Sequence, residues 1–286
     1  MKKLLAVSLM ALLLTALIAA GCGKKTPSAS TAQGILEQST KKTQQVKSVK
    51  VSGSYSASMS GTDQSNMQAD FEMALNLKNP NPQKPEDVEG RGVIKTMGHD
   101  MEIYVVGGVA YINVAVPIES ANLPAGWYKQ PLDTGTGDTI ITTPQEIANI
   151  SKLAKKISIV SQDSKSYTVA FTIDPKFLEQ SLIGSEQFKG MAPEALDMIK
   201  STIGNIKLSA RMKVEKSTML VQETAVKMSL PPTPPVRGMS LDAKMAFSDY
   251  NQPVTVVLPP EAQNAQPVPE GAGSLIPGGG FPGLGI

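Results

Sequence analysis

The chain encodes an α+β domain built on one large, curved antiparallel sheet of about 10–12 strands, closed on one face by a few helices. Three features of the sequence lead there. Apolar residues recur at every second position through most of the chain, polar residues stand between them, and helical periodicity is confined to three places. A period of two with one wet and one apolar face is the habit of antiparallel sheets, since parallel sheets are covered on both faces.

The elements follow in order. Thr31 to Lys47, with Ile35, Leu36 and Val46 among polar residues, predicts an opening helix. Val49, Val51, Gly53, Tyr55, Ala57 and Met59 then alternate, followed by Met67, Ala69, Phe71, Met73, Leu75 and Leu77. Met101 to Val106 and Val109 to Val114, joined by Gly107-Gly108, read as a hairpin with a two-residue turn. Thr143-Pro144-Gln145-Glu146 is a capping box with proline at the first helical position. It predicts a helix with the stripe Ile147, Ile150, Leu153, Ala154 and Ile157. Tyr167, Val169, Phe171 and Ile173 return to period two. Asp174-Pro175 opens another helical stretch through Phe177, Leu178, Leu182 and Ile183, resumed from Pro193 to Ile203 and ended by Gly204. The closing strands run through Ile206 to Val214, Thr224 to Leu230 and Leu241 to Phe247. A single meandering sheet with helices on one face buries all these stripes.

The N-terminus is a targeting signal. Lys2 and Lys3 precede 17 uncharged residues, Leu4 to Ala20, and then Ala19-Ala20-Gly21-Cys22 supplies small residues before the only cysteine. This resembles the lipobox of bacterial lipoproteins, in which the thiol is diacylated before cleavage. Two other readings are an uncleaved anchor helix, at the lower length limit for a span, and a general secretory signal. The expected organisation is a lipoprotein signal at 1–21, a flexible tether at 22–30, the sheet domain at 31–262, and a disordered Pro/Gly-rich tail at 263–286. The tail carries Leu275, Ile276, Phe281, Leu284 and Ile286, which are also suited to docking on an apolar groove. Two acyl chains are enough for stable anchoring, so the domain is expected on the extracytoplasmic face of the cell membrane.

Composition narrows the function. Without residues 1–21 the chain has 25 basic and 25 acidic residues, a neutral balance that argues against nucleic acid as a partner. With Cys22 acylated no thiol remains for a disulfide, and stability has to come from a hydrophobic core. His99, the only histidine, falls in an expected turn at Gly98-His99-Asp100. No hydrolase, zincin, phosphate-loop, dinucleotide or C-x-x-C motif is present, so neither an enzyme nor a cofactor or metal is expected. Acids are scattered, and aromatic platforms for sugars are scarce, with one Trp, six Tyr and six Phe. Instead, Met59, Met67, Met73, Met101, Met212, Met228 and Met245 sit in the apolar register. Methionine fills ordinary cores and also suits surfaces that adapt to variable apolar ligands.

Two segments carry a family resemblance. One is Phe247-Ser248-Asp249-Tyr250-Asn251-Gln252-Pro253-Val254-Thr255-Val256 with Leu258-Pro259, read as an acid-aromatic turn and a Pro-led final strand. The other is Ile35-Leu36-Glu37 followed by Val46-Lys47-Ser48-Val49-Lys50-Val51-Ser52-Gly53. With the lipobox and the strand count, they make residues 31–260 resemble the LppX/LprG-type lipoproteins of the LolA/LolB-like fold. That resemblance implies a half-open barrel around a hydrophobic cavity that carries acylated lipids, or lipoproteins by their acyl chains. The expected inward-facing cavity residues are Phe71, Met73, Leu75, Ile103, Val105, Ile112, Phe171, Met212, Met245 and Phe247. The expected partners are the membrane and a lipid or acyl chain. The alternative is an envelope sensor or assembly factor, like the RseB-like regulators of this fold, that binds a protein partner without cargo.

Overall fold

The computed structural model describes residues 31–60, 65–78, 85–96, 98–118, 123–132, 154–174, 197, 200–201, 204–232 and 238–269. Helix α1 spans Ala32–Thr43 and is followed by strands β1 (Ser48–Met59), β2 (Ser65–Leu77), β3 (Val88–Thr96), β4 (His99–Val106), β5 (Val109–Val114) and β6 (Gly126–Pro131). The second half supplies β7 (Ala154–Gln162), β8 (Ser166–Ile173), β9 (Lys207–Glu215), β10 (Val221–Leu230), β11 (Met239–Ser248) and β12 (Gln266–Pro267).

All twelve strands form one open, curved sheet in the order β12-β6-β5-β4-β3-β2-β1-β11-β10-β9-β8-β7. It is two meanders joined at the β1–β11 seam, where Lys50 to Met59 pair antiparallel with Ser248 to Met239. The β4–β5 hairpin turns at Gly107 and Gly108 as expected, with φ of 60° and 78°, and Val106 faces Val109. His99 opens β4 opposite Thr96 instead of lying in a turn, so the corner belongs to Gly98 at φ 78°.

Helix α1 starts where the Thr31 Oγ1 accepts the Gly34 N–H at 3.1 Å, and Lys41 and Lys42 sit at the negative end of its dipole. Its buried residues include Ile35, Leu36, Ser39 and Thr43, and it lies against β7 and β8.

Two sequence expectations change. Ala154 and Ile157, placed on a helix by their spacing, lie in β7, which pairs with β8 through two bulges. Residues 143–153 are outside the described residues. The run Ile157-Ser158-Ile159-Val160 is β-branched and fits a pleated surface, and the open side of β8 offers a ladder that a helix cannot use. Helix is also found at Asp197, Lys200, Ser201 and Gly204, so the expected Pro193–Ile203 helix holds there and includes Gly204. Phe177 to Ile183 are outside the described residues. Among the described residues, one complete helix covers the sheet instead of several.

The second change concerns the Pro-led final strand. Gln252 to Pro259 joins no ladder. The reason is topological: β11 already has β1 and β10 as neighbours, so no edge is free beside it. The chain runs as a strap to the far edge, through a 3₁₀ turn at Pro260–Asn264, and Gln266–Pro267 then pairs parallel with Tyr128 and Lys129. The sheet therefore extends past residue 262.

Curvature has a local cause. Gly53, Gly90 and Gly92 all face inward on β1 and β3, flanking β2. A methyl group on Gly53 would come within 2.8 Å of the Phe71 ring, and one on Gly92 within 2.6 Å of the Met73 side chain. The same methyl groups would press the Lys244 and Glu72 carbonyl oxygens. Glycine lets these strands approach and bend, and it lets the β2 side chains lie over them.

Candidate functional site

Strand alternation puts Phe71, Met73, Leu75, Ile103, Val105, Ile112, Phe171, Met212, Met245 and Phe247 on the same, concave face of the sheet. Packing then divides them. Leu75, Phe171, Met212, Met245 and Phe247 belong to one buried cluster under α1, which also takes in Ile35, Leu36 and Val46. Ile103, Val105 and Ile112 belong to a second cluster on β2–β6, with Leu123, Tyr128 and Leu132. Phe71 and Met73 are half-buried, and they are the residues that pack against both clusters.

Two cross-strand rows that run from one cluster to the other include alanines and a glycine. One row reads Thr96, Ala69, Tyr55, Ala243, Val226, Ala210, Phe171 from β3 to β8. The next reads Ile94, Phe71, Gly53, Met245, Thr224, Met212, Val169. Alanine or glycine opposite a larger residue leaves the sheet floor low at Gly53, Ala69, Ala210 and Ala243. Tyr55, Phe71, Met73, Val226, Leu241 and Ala243 stay half-buried there, as do Gly53 and Ala57, whereas Ala69, Ala210, Thr224 and Met245 are buried, and the contrast outlines a shallow trough.

Tyr55, Val226, Leu241 and Ala243 were not among the residues expected at the site. A trough is defined as much by its small residues as by the bulky ones beside them. The period-two register did contain the signal, since Gly53, Ala57, Ala69, Ala210 and Ala243 all occupy inward positions.

The trough floor carries polar atoms without partners. The Tyr55 hydroxyl and the Thr224 Oγ1 are buried and make no hydrogen bond, and Thr224 is 3 % exposed. Burial pushes the Tyr55 phenol up to about 12. Leaving one buried hydroxyl unsatisfied costs about 1–3 kcal/mol, so two on one floor are a notable local liability. The Ser39 Oγ on the sheet-facing side of α1 is in the same condition.

The convex face is polar, laced with exposed cross-strand pairs such as Lys227–Asp242 at 2.8 Å and Lys213–Glu223 at 3.0 Å. Among the described residues it bears an aromatic patch, where Tyr104 and Trp127 meet at a centroid distance of 5.9 Å. Arg91, Tyr104, Tyr111 and Lys129 form a row across β3–β6 beside them. An open groove of about 370 Å³ near Ser60, Pro232 and Gly238 lies at the end of β1, β10 and β11. Its Ser58 and Ser240 hydroxyls bond each other at 2.7 Å and are thereby satisfied. Among the described residues, no group of three or more His, Cys, Asp or Glu could hold a metal ion. Among them, too, no helix is long and apolar enough to cross a membrane.

A single open sheet, apolar on its concave face and packed there against an N-terminal helix, makes a half-barrel. Residues 31–267 match a family of unknown function, DUF6612, and the chain belongs to that family. No curated protein matches it. Among solved structures it is similar to LprF from Mycobacterium bovis, at 15% identity over 82% of this chain and 99% of that one, with a TM-score of 0.43. A LolA superfamily protein from Nitrosomonas europaea is similar at 12% identity over 81% and 96%, with a TM-score of 0.23. The MucA/MucB complex of Pseudomonas aeruginosa is similar at 10% identity over 80% and 67%, with a TM-score of 0.28.

Proposed function

We propose that this protein is a lipoprotein of the cell envelope, anchored through an acylated Cys22, that binds the acyl chains of a lipid in the concave trough and acts as a carrier or chaperone. The observation that carries this reading is the seam between the two cores. Half-buried Phe71 and Met73 stand there over glycines, beside a floor of Ala69, Ala243 and Ala210. Such a surface offers apolar contact without a fixed shape, which fits a flexible chain. Each buried methylene would contribute about 0.8 kcal/mol, reduced by the ordering cost of the ligand.

The test is gentle purification of the full chain, extraction with organic solvent, and identification of the extract by mass spectrometry. Wild-type protein should carry lipid. Met73→Asp should lose it and stay folded, because Met73 is half-buried, whereas an acid at Met245 would sit in the packed core. Ala243→Leu should fill the trough with the same loss. A folded wild type that carries no lipid and takes none up would end this proposal.

A second reading, a protein partner bound without cargo, has its own supporting observation in the convex patch of Tyr104, Tyr111, Trp127 and Arg91. Trp, Tyr and Arg dominate the energetics of protein interfaces. Trp127→Ala with Tyr104→Ala should abolish partner crosslinking in that case and leave lipid content unchanged.

A further inference from the structure

We infer that residues 270–286 fold back over the concave face and occupy the trough in cis, so that an apolar segment of the chain itself competes there with a ligand. The competition with lipid rests on the lipid-binding reading above, whereas the docking of the segment does not.

The fold sets where this segment starts. The structure describes the chain as far as Pro269. Because β11 has no free edge, the strap from Gln252 carries the chain to β6, where the Val268 N–H donates to the Lys129 carbonyl at 3.2 Å. Val268 packs against the second core, the same core that Phe71 and Met73 touch at its other end. The segment therefore leaves from the rim of the concave face, and one apolar surface leads from there to the trough.

Length and chemistry fit that path. β12 and β2 are five strand spacings apart in the sheet, roughly 24 Å. A Gly-rich coil of the 17 residues 270–286 has a root-mean-square length of about 23 Å, and such a match gives an intramolecular site its highest effective concentration. From Gly271 to Ile286 there is no charged residue, seven positions are glycine, and Leu275, Ile276, Phe281, Leu284 and Ile286 are apolar. Tyr55, Phe71, Met73, Val226, Leu241 and Ala243 in the trough are uncharged as well, so neither surface buries an ion on contact. Glycine lets a backbone lie close to so shallow a floor. The convex face is a poorer host, because Arg91, Glu102 and Lys129 stand in the rows of its aromatic patch.

In the first experiment the photoreactive p-benzoylphenylalanine replaces Phe281 in the full chain, a change outside every strand and helix of the sheet domain. Irradiation, digestion and mass spectrometry should give a cross-link within one chain to peptides of β2 or β11 that contain Phe71, Met73 or Leu241. In the second, full chains with and without Phe281→Asp and Leu284→Asp are incubated with phosphatidylcholine vesicles and re-isolated, and their lipid is measured by extraction. The charged variant should retain about three- to tenfold more lipid, the gain expected when a site that is free for roughly a third to a tenth of the time is opened fully. Cross-links only to the convex face, only between chains, or none at all overturn the docking. Equal lipid in the two chains overturns the competition and leaves lipid binding standing. A cross-link in the trough with no lipid on either chain upholds the docking and ends the lipid-binding reading.

Discussion

Asn251 holds Lys47 across a separation of 204 residues: its Oδ1 accepts the Lys47 N–H at 2.8 Å, while its own N–H donates to the Ser48 carbonyl at 2.9 Å. The Ser48 hydroxyl donates in turn to the Gln252 carbonyl, and Lys50 pairs with Asp249 at 2.9 Å. The turn after β11 is thus clamped to the start of β1, the seam that joins the two meanders. The Tyr250 hydroxyl extends the clamp by donating to the Val221 carbonyl.

Asn251 has φ of 60°, a left-handed conformation that asparagine tolerates and most residues do not. Asn251→Ala should therefore lose about 1–2 kcal/mol in urea unfolding, from the missing acceptor and the strained backbone together. Asn251→Gly relieves the backbone and should recover part of that loss. If both variants unfold like wild type, the clamp contributes nothing to stability.

The inward glycines give a second prediction. Gly92→Ala should cost about 1–3 kcal/mol, because its methyl group collides with Met73 and with a carbonyl that cannot withdraw. Gly204→Ala meets nothing within 4 Å and should be neutral or slightly stabilising. Thermal melts of the pair check whether the cost comes from the trough corner or from glycine replacement in general.

Asp163 caps the β7–β8 turn, accepting the Lys165 N–H at 2.7 Å, the Ser166 N–H at 2.6 Å and the Ser166 hydroxyl at 2.8 Å. The backbone hydrogen bond from Lys165 is the main cause that holds its carboxyl below the ordinary aspartate range, followed by the bonds from Ser166. A group depressed in the folded state stabilises above its unfolded pKa, and that contribution is lost as pH falls through the folded one. The melting-temperature gap between wild type and Asp163→Asn should be full at about pH 6 and should close near pH 2.

Tyr55 behaves in the opposite sense. Its folded pKa, raised from 10.0 to about 12 by burial, favours the neutral phenol. Its contribution is constant below about pH 10 and is lost as pH rises from about 10 towards 12. Absorbance titration should show one late phenol fewer in Tyr55→Phe, and that variant should melt less steeply with rising pH. Tyr250 is raised by burial as well and keeps a late transition in both proteins.

Cys22→Ala tests the anchor. A diacylated chain partitions into detergent, and the substituted chain should move to the aqueous phase, since two acyl chains are what make anchoring stable. Full retention in the detergent phase would favour an uncleaved anchor helix over Leu4 to Ala20.

Much of the site was legible before the fold. Period-two alternation is a local property of the chain, so the side of the sheet on which Phe71, Met212 or Phe247 would lie followed from residue parity alone. The β4–β5 hairpin was equally legible, because Gly107 and Gly108 supply the positive φ values that its turn requires. Ala154 and Ile157 were misplaced because a short apolar pattern fits a helix or a strand, and the choice fell to the free edge of β8. The strap from Gln252 to Pro259 was read as a strand because nothing local tells Val254 and Val256 that β11 has no open neighbour.

By itself, then, the sequence determined the strand periodicity, the single apolar face, the Gly107-Gly108 turn and the candidate acylation site, all of which depend on neighbours a few residues apart. The tertiary structure alone decided that the inward residues divide into two cores meeting at Phe71 and Met73. It also set Tyr55 and Thr224 on either side of β11 and carried the C-terminal strap to β6. Those outcomes turn on which strand occupies which edge, a competition among segments as much as 200 residues apart, for which the local pattern carries no information.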